Sequence, residues 1–264
     1  MRRVAILAAT ARELAPAQSV CGLFGQMRRG RVGRFLQYTG QFNNIELHLI
    51  KTGIGHLNAR LAAEAVLFAV SPDALISTGY IGGLRTEDTG ALILGTQLQD
   101  WTDERSIAAI PADEALLAAA GLAARAVGLA CSQGPIITVA RVLWRASEKR
   151  ALADVSAAIG VDMESAAVAR VAASGKVPFL AVRAVSDKVG DDLPMDLNMW
   201  LSSSGALRGI MEVVRHPSLL REFYHMKGHA DEANETLRRF FKSFLVALRS
   251  CQLPAAPDLS VAVS

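Results

Sequence analysis

The 264-residue chain is poor in aromatic side chains, at 6%, and only 20% of its residues are charged. Twenty-eight lysines and arginines stand against 25 acids, which leaves a net charge of +3. So small an excess leaves no electrostatic footprint for nucleic acid, and no such partner is expected. Cysteine is scarce as well. Cys21, Cys131 and Cys251 are odd in number, far apart and without metal-ligand spacing. That excludes a disulfide framework or a zinc site and reads as free thiols in a reducing compartment. No apolar run is long enough to cross a bilayer. The opening MRRVAILAAT imitates a secretion signal for a few residues, but its apolar part is short and Arg12-Glu13 interrupts it. The expected location is therefore the cytoplasm. Internal repeats and low-complexity tracts are also missing.

What the chain does have is apolar material, 51% of its residues, cut into short runs by glycine and by polar turns. Its length and composition fit one α/β domain with a full core. The most informative stretch runs from Gly160 to Asp187. Asp162 and Glu164 read as first-turn acids of a helix carrying Ala166, Ala167, Val168, Val171 and Ala172 on one face. Gly175 and Pro178 end that helix. Val177 to Val185 then reads as a strand buried on both sides, closing in Ser186-Asp187. Ligands of open α/β sheets sit beyond the carboxyl ends of strands. Asp187 is therefore placed for chemistry, and Met163-Glu164 can face the same crevice.

Other segments repeat this logic. Val4 to Ala9 is a strand, and Thr10 can cap a following helix that begins Ala11-Arg12-Glu13. Arg12 and Glu13 thus lie just past a strand end, although both also suit a solvated first turn. Residues 31–50 look like a hairpin. Thr52-Gly53-Ile54-Gly55 precedes a helix over 56–70, and its glycines permit close approach of a ligand. A dinucleotide fingerprint would need a third glycine where Asn58 stands, so a nicotinamide site is rejected. A strand over 73–78 runs into Gly79-Tyr80-Ile81-Gly82-Gly83, a turn whose backbone N–H groups can meet a ligand. Further strands are expected over 91–100 and 135–139, and helices over 112–122, 147–153 and 197–214.

VDMESAA followed by VPFLAVRAVSD, with the GIG loop at Gly53 to Gly55 and TGYIGG at Thr78 to Gly83, resembles the nucleoside phosphorylase and nucleosidase superfamily. The resemblance covers about residues 1–210. It implies a single three-layer α/β domain with a central mixed, mostly parallel twisted sheet flanked by helices. It also implies a homo-oligomer and a small-molecule purine nucleoside as substrate. Neither cofactor nor metal is implied, although phosphate is a candidate co-substrate. By resemblance, Asp187 is the acid that protonates the leaving purine, and Glu13 handles an attacking water. Met163, Glu164 and Ser186 contact the nucleoside, with Tyr80 and Gly82 from the glycine-rich turn. Thr138 and Val142 fall near the polar and base-covering positions, with Trp144 as the rival for the latter. Arg12 matches the arginine that grips phosphate in hexameric phosphorylases, and Thr52 and Gly53 complete a candidate phosphate set.

Two features depart from the family pattern. Tyr80 replaces a small residue, and Ser77 stands where phosphorylases carry a second phosphate arginine. The nucleophile therefore stays open between phosphate and water. The reading leans to phosphorolysis because Arg12 is available and the SD…LP form resembles the hopanoid-associated branch. A catalytically silent nucleoside- or lipid-binding module is the alternative of another class.

The chemistry asked of these residues is simple. A purine anion leaves poorly, so an acid must meet it, and burial at a strand end would favour the neutral, proton-donating form of Asp187. The sugar develops positive charge, which a carboxylate such as Glu164 can balance while gripping the 2′- and 3′-hydroxyls. Arg183, inside an apolar strand, needs a buried partner such as a carboxylate, and reads as structural support for the site.

After the nucleoside phosphorylase-like domain, 1–214, the chain changes character. Residues 215–250 interleave Leu219, Phe223, Leu237, Phe240, Phe241 and Phe244 with arginines and lysines, and read as an added C-terminal helical element. A helix pair packed on the domain or on a sister subunit is expected, with an amphipathic membrane-surface contact as the sharper alternative. His225 and His229 have metal spacing but no third ligand, and read as surface histidines. Residues 251–264 read as a flexible tail.

Overall fold

The computed structural model describes residues 1–22, 26–85, 88–102, 109–193, 218–249 and 251, with the backbone alone over 218–227. The expected helix over 197–214 and the tail beyond Cys251 lie outside the described residues. In chain order the elements are β1 (Arg2–Ala8), α1 (Ala11–Gly22), β2 (Arg28–Val32), β3 (Phe35–Phe42), β4 (Ile45–Lys51) and α2 (His56–Val70). There follow β5 (Ala74–Gly83), β6 (Leu92–Asp100), β7 (Ile110–Pro111), α3 (Glu114–Ala126) and β8 (Cys131–Thr138). The remainder is α4 (Ala146–Val155), β9 (Gly160–Asp162), α5 (Ser165–Ser174), β10 (Phe179–Asp187) and a long helix, here α6 (Ser218–Ala247).

The strands form one sheet in the order β10-β6-β8-β9-β5-β1-β4-β3-β2, with β7 at the side of β6. A further pairing of β10 with β5 closes strands β5, β10, β6, β8 and β9 into a ring. The central strands β1, β4, β5 and β10 run parallel, as expected. Outside that centre the sheet is mixed, so the expectation of a mostly parallel sheet holds only in part: β8 runs parallel to both β6 and β9. The β2–β3–β4 meander and the pairings of β6 with β10 and β7, and of β5 with β9, are antiparallel. Short hairpin connections impose this direction on the β2–β3–β4 meander, whereas parallel pairs need a crossover.

Strand alternation builds two cores. On β10, Leu180, Val182 and Ala184 face one cluster, with α1, α3 and α6 over it, while Phe179, Ala181 and Val185 face the other, under α2 and α5. On β1 the same split sends Val4, Ile6 and Ala8 to one side and Ala5 and Leu7 to the other. Helix, sheet and helix therefore form three layers, as the sequence suggested.

Two expectations about helices are corrected. The stretch at Gly160 is a strand, not a helix start: Val161 pairs with Gly82 and with Ile137, and Asp162 with Thr138. Glu164 becomes the N-cap of α5. The C-terminal region is one 30-residue helix among the described residues, not a pair. Leu237, Phe240, Phe241, Phe244, Leu245 and Leu248 are fully buried against the sheet. Phe240 packs edge-on to Phe241 at 5.4 Å and stacks on Phe244 at 5.0 Å between ring centroids. Burying each such ring contributes roughly 1.5–3 kcal/mol. The apolar stripe of residues 237–248 is thus spent on the core.

Cys21, Cys131 and Cys251 are free thiols, and burial pushes Cys21 up to about 12. No helix among the described residues is long and apolar enough to cross a membrane.

Candidate active site

The carboxyl ends of β1, β5, β8, β9 and β10 converge on a cavity of about 340 Å³, a size at the lower end of small-molecule sites. Asp187 and Ser186 reach it from β10, Tyr80 and Gly82 from β5, and Met163 and Glu164 from the turn after β9. Arg12 and Glu13 line it from α1, Val142 from the loop after β8, and Ala230 from α6. The two carboxyl groups singled out in the sequence, Asp187 and Glu164, therefore open onto one hollow.

Glu13 is fixed by a capping box. The Thr10 backbone N–H and hydroxyl donate to Glu13 Oε2 at 2.9 and 2.8 Å, and the Glu13 N–H donates back to Thr10 Oγ at 3.2 Å. The Tyr80 N–H donates to Glu13 Oε1 at 3.0 Å. Gly79 makes this approach possible. A Cβ there would stand 2.5 Å from both Glu13 Oε1 and Arg183 Nη1.

Glu164 Oε1 accepts the N–H of Gly55 at 2.7 Å. Gly55 has φ +93°, a conformation that suits glycine and turns its amide toward the carboxylate. Apart from the surface it shows to the cavity, Glu164 is enclosed by protein. That burial, with Asp162 and Glu13 nearby, pushes it up to about 7, against the pull of Arg183 and the Gly55 N–H.

Arg183 has the buried partner it needed. Its guanidinium meets Asp162 Oδ2 at 2.9 Å and donates to the hydroxyls of Ser77 and Ser165 at 2.9 and 2.8 Å. This network lies beneath the cavity floor and pins β5, β9 and α5 together. Ser77 is an acceptor in it.

Several sequence assignments move. Thr138 is fully buried one layer behind the cavity, where its hydroxyl donates to Asp162 Oδ1 at 2.7 Å and accepts the Ala166 N–H at 2.9 Å. It supports the site without lining it. Thr52 and Gly53 are corrected too: they line a separate groove with Arg29, Arg31, Arg34 and Lys51. The β1–β4 register carries the chain past the cavity there, and only Ile54 turns into it. Arg12 does line the cavity, but its guanidinium is engaged by Asp231 of α6 at 2.9 Å. Val142 and Leu143 line the cavity, while Trp144 stacks under Arg145 at 4.3 Å and is not among the lining residues. His56, at the start of α2, meets Asp100 at 3.0 Å.

Sequence reasoning missed Lys149. This lysine of α4 has no solvent exposure and sits 2.7 Å from Asp187 Oδ2, with a second donation to the backbone carbonyl of Lys188. Ser186 donates to Asp187 Oδ1 at 2.7 Å. Asp187 is thus half of an ion pair, where the sequence suggested a lone acid kept neutral by apolar surroundings. Nothing near Lys149 in the sequence links it to a residue 38 positions away. The role of α6 was missed for the same reason: besides Asp231, its Asn234 accepts the Tyr80 hydroxyl at 3.0 Å. Burial pushes that hydroxyl up to about 12, so Tyr80 is a neutral donor. Among the described residues no group of three His, Cys, Asp or Glu side chains could hold a metal ion. His229 is half-buried on α6, and the side chain of His225 lies outside the described residues.

A ring of strand ends holding separated carboxylates over a small cavity defines a class. The sequence matches the phosphorylase superfamily over residues 3–206, and the chain belongs to that superfamily. Among curated proteins it is similar to the 5′-methylthioadenosine/S-adenosylhomocysteine nucleosidase of Maridesulfovibrio salexigens. The two are 29% identical over 181 residues, covering 61% of this chain and 76% of that one. Among solved structures the fold matches futalosine hydrolase of Helicobacter pylori, with a TM-score of 0.74 at 20% identity, over 93% of this chain and 97% of that one. It also matches the 5′-methylthioadenosine/S-adenosylhomocysteine nucleosidase of Neisseria meningitidis in complex with methylthio-immucillin-A, with a TM-score of 0.70 at 22% identity, over 92% and 100% of the two chains.

Proposed function

We propose that this protein hydrolyses the N-glycosidic bond of a purine nucleoside, with water as the nucleophile. The observation that carries the reading is the state of Glu13 and Arg12. Glu13 is held at the cavity by three donors that leave its carboxylate oriented, while Arg12 is occupied by Asp231. An oriented carboxylate can take a proton from water. The Asp231 carboxylate beside that guanidinium offsets part of the positive charge that a phosphate would be drawn to. The names of the relatives point the same way, since they are nucleosidases and a hydrolase. The sequence-based lean toward phosphorolysis on a hopanoid-linked nucleoside is therefore given up: Thr52 and Gly53 are off the cavity, and no relative reported above is named for that substrate.

In this reading Glu164 accepts from the ribose 2′- and 3′-hydroxyls and balances charge on the sugar. Met163 forms an adaptable apolar wall against the sugar. Asp187, with Ser186, faces the purine and supplies the proton it needs to leave, a contribution of roughly 10²–10⁴ in rate. Val142, Tyr80 and Gly82 flank the base and sugar. The reaction requires no cofactor, because protein groups and water fill every role. A homo-oligomer remains part of the reading, supported by Leu57 and Phe68, 59% and 92% exposed on one stripe of α2 beside the cavity residue Ile54.

The test is release of free adenine from adenosine and 5′-methylthioadenosine, with and without phosphate. Equal release in phosphate-free buffer is expected, and Asp187→Asn should abolish most of it. Release that depends on phosphate restores the phosphorylase reading. No release from any purine nucleoside supports the silent binding module.

A further inference from the structure

Lys149 is a costly residue to keep where it is. A lysine with no solvent exposure forfeits the hydration of its ammonium, a penalty that only good partners offset. Its partners are Asp187 Oδ2 at 2.7 Å and the carbonyl of Lys188. It also lines the cavity. An apolar side chain of that length would fill the same space without the penalty, so packing alone does not account for a lysine here. An acid that is to protonate a leaving base, moreover, is of no use as a bare carboxylate.

We propose that Lys149 is a positioning residue for the proposed nucleosidase reaction: it orients Asp187 and holds the proton that Asp187 delivers to the purine. This inference rests on the functional reading above. In the resting pair the transferable proton is on the Lys149 ammonium. As the bond from C1′ to N9 breaks, its electron pair goes to the base. N7 takes a proton from Asp187 while Lys149 passes one of its Nζ protons to the same carboxyl group. The products of this step are a neutral base, an aspartate and a neutral amine. Water adds to C1′ and gives its proton to Glu13. That proton returns through solvent to Lys149 once the products leave, so the cycle closes with no net gain or loss. Ser186, donating to Oδ1 at 2.7 Å, keeps the carboxyl from rotating.

The test compares two leaving groups. Adenine needs a proton to depart, whereas p-nitrophenolate departs without one. Wild type, Lys149→Met and Lys149→Arg are assayed on adenosine and on p-nitrophenyl β-D-ribofuranoside, with circular dichroism as the check on folding. Lys149→Met should lose at least about 100-fold in kcat on adenosine and less than about fivefold on the nitrophenyl riboside. Lys149→Arg keeps a cation beside Asp187 but has a guanidinium that does not release its proton. It should show the same selective loss, and it carries the test should the methionine variant fail to fold. Equal losses on both substrates would make Lys149 a structural residue and overturn the proposal. So would full adenosine turnover by either variant. A wild-type protein that cleaves the nitrophenyl riboside but not adenosine contradicts the proton path directly. One that cleaves neither removes the nucleosidase reading, and this inference goes with it.

Discussion

Replacing Glu164 by glutamine separates what this residue does for catalysis from what it costs the fold. Glutamine keeps an oxygen for the Gly55 N–H, 2.7 Å away, but it cannot carry charge. A hydrogen bond to a charged group contributes about 1.5–3 kcal/mol, against about 0.5–1.5 for a neutral one. With two ribose hydroxyls, the difference comes to about 2–3 kcal/mol, or roughly 30- to 150-fold in kcat/KM. A 2′-deoxynucleoside offers one hydroxyl fewer, so its loss should be distinctly smaller. The pH dependence follows from the upward shift to about 7, caused first by burial and then by Asp162 and Glu13. The working form is the carboxylate, whose population rises with pH through about 7. At pH 5 only about one molecule in a hundred carries it, so wild-type kcat/KM should fall about 100-fold there. The glutamine variant should lack this acid limb.

Stability should move the other way. Burial raises Glu164 from its ordinary 4.5 to about 7, so folding favours its neutral form. The stability this group permits is fully present below about 4.5 and is lost as pH rises through about 7. At pH 8 the penalty is at most about 3 kcal/mol, because each unit is worth about 1.4 and the cavity-facing surface retains some water. The ligand-free glutamine variant should therefore melt higher than wild type at pH 8, by up to about 6–12 °C, and no higher at pH 4. The assays are pH-resolved kcat/KM on paired ribo- and deoxyribonucleosides, and calorimetry of the free protein. An unchanged acid limb in the variant, or equal damage to both substrates, would refute the argument.

Three other substitutions are informative. Gly79→Ala places a Cβ 2.5 Å from Glu13 Oε1 and Arg183 Nη1; it should cost at least tenfold in base release with a detectable fall in melting temperature, and wild-type behaviour would show that the two side chains can retreat. Thr138→Val removes the donor to Asp162 and the acceptor of the Ala166 N–H; a loss of about 1–3 kcal/mol in denaturant unfolding is expected from the buried groups left unpaired, with KM changed less than stability. Arg12→Ala breaks an exposed pair with Asp231 worth no more than about 1 kcal/mol; turnover should stay insensitive to phosphate, and a phosphate-dependent loss in this variant would reopen phosphorolysis.

Much of the fold was legible because it depends on local pattern. The apolar runs ending in Ala9 and Asp187 read as strands buried on both faces, and strand ends are where an α/β sheet presents ligands; the strand expected to stop at Thr78 instead continues through the expected glycine-rich turn to Gly83, because β9 and β10 pair with it there. Position and motif singled out Glu13, Glu164, Met163 and Asp187, and all four line the one cavity. The sequence by itself determined which residues stand at strand ends and which carboxylates could do the chemistry, because periodicity and turn residues act within a few positions. The tertiary structure alone decided who their partners are. Lys149 reaching Asp187, Asp231 reaching Arg12, and Arg183 joining Asp162 to Ser77 and Ser165 are pairings across a closed ring of strands and a helix from the far end of the chain. The buried ones arise because folding brings charges together in a low-dielectric interior, where each must find a partner, the exposed Arg12–Asp231 pair because α6 packs beside α1, and no spacing along the chain encodes either meeting.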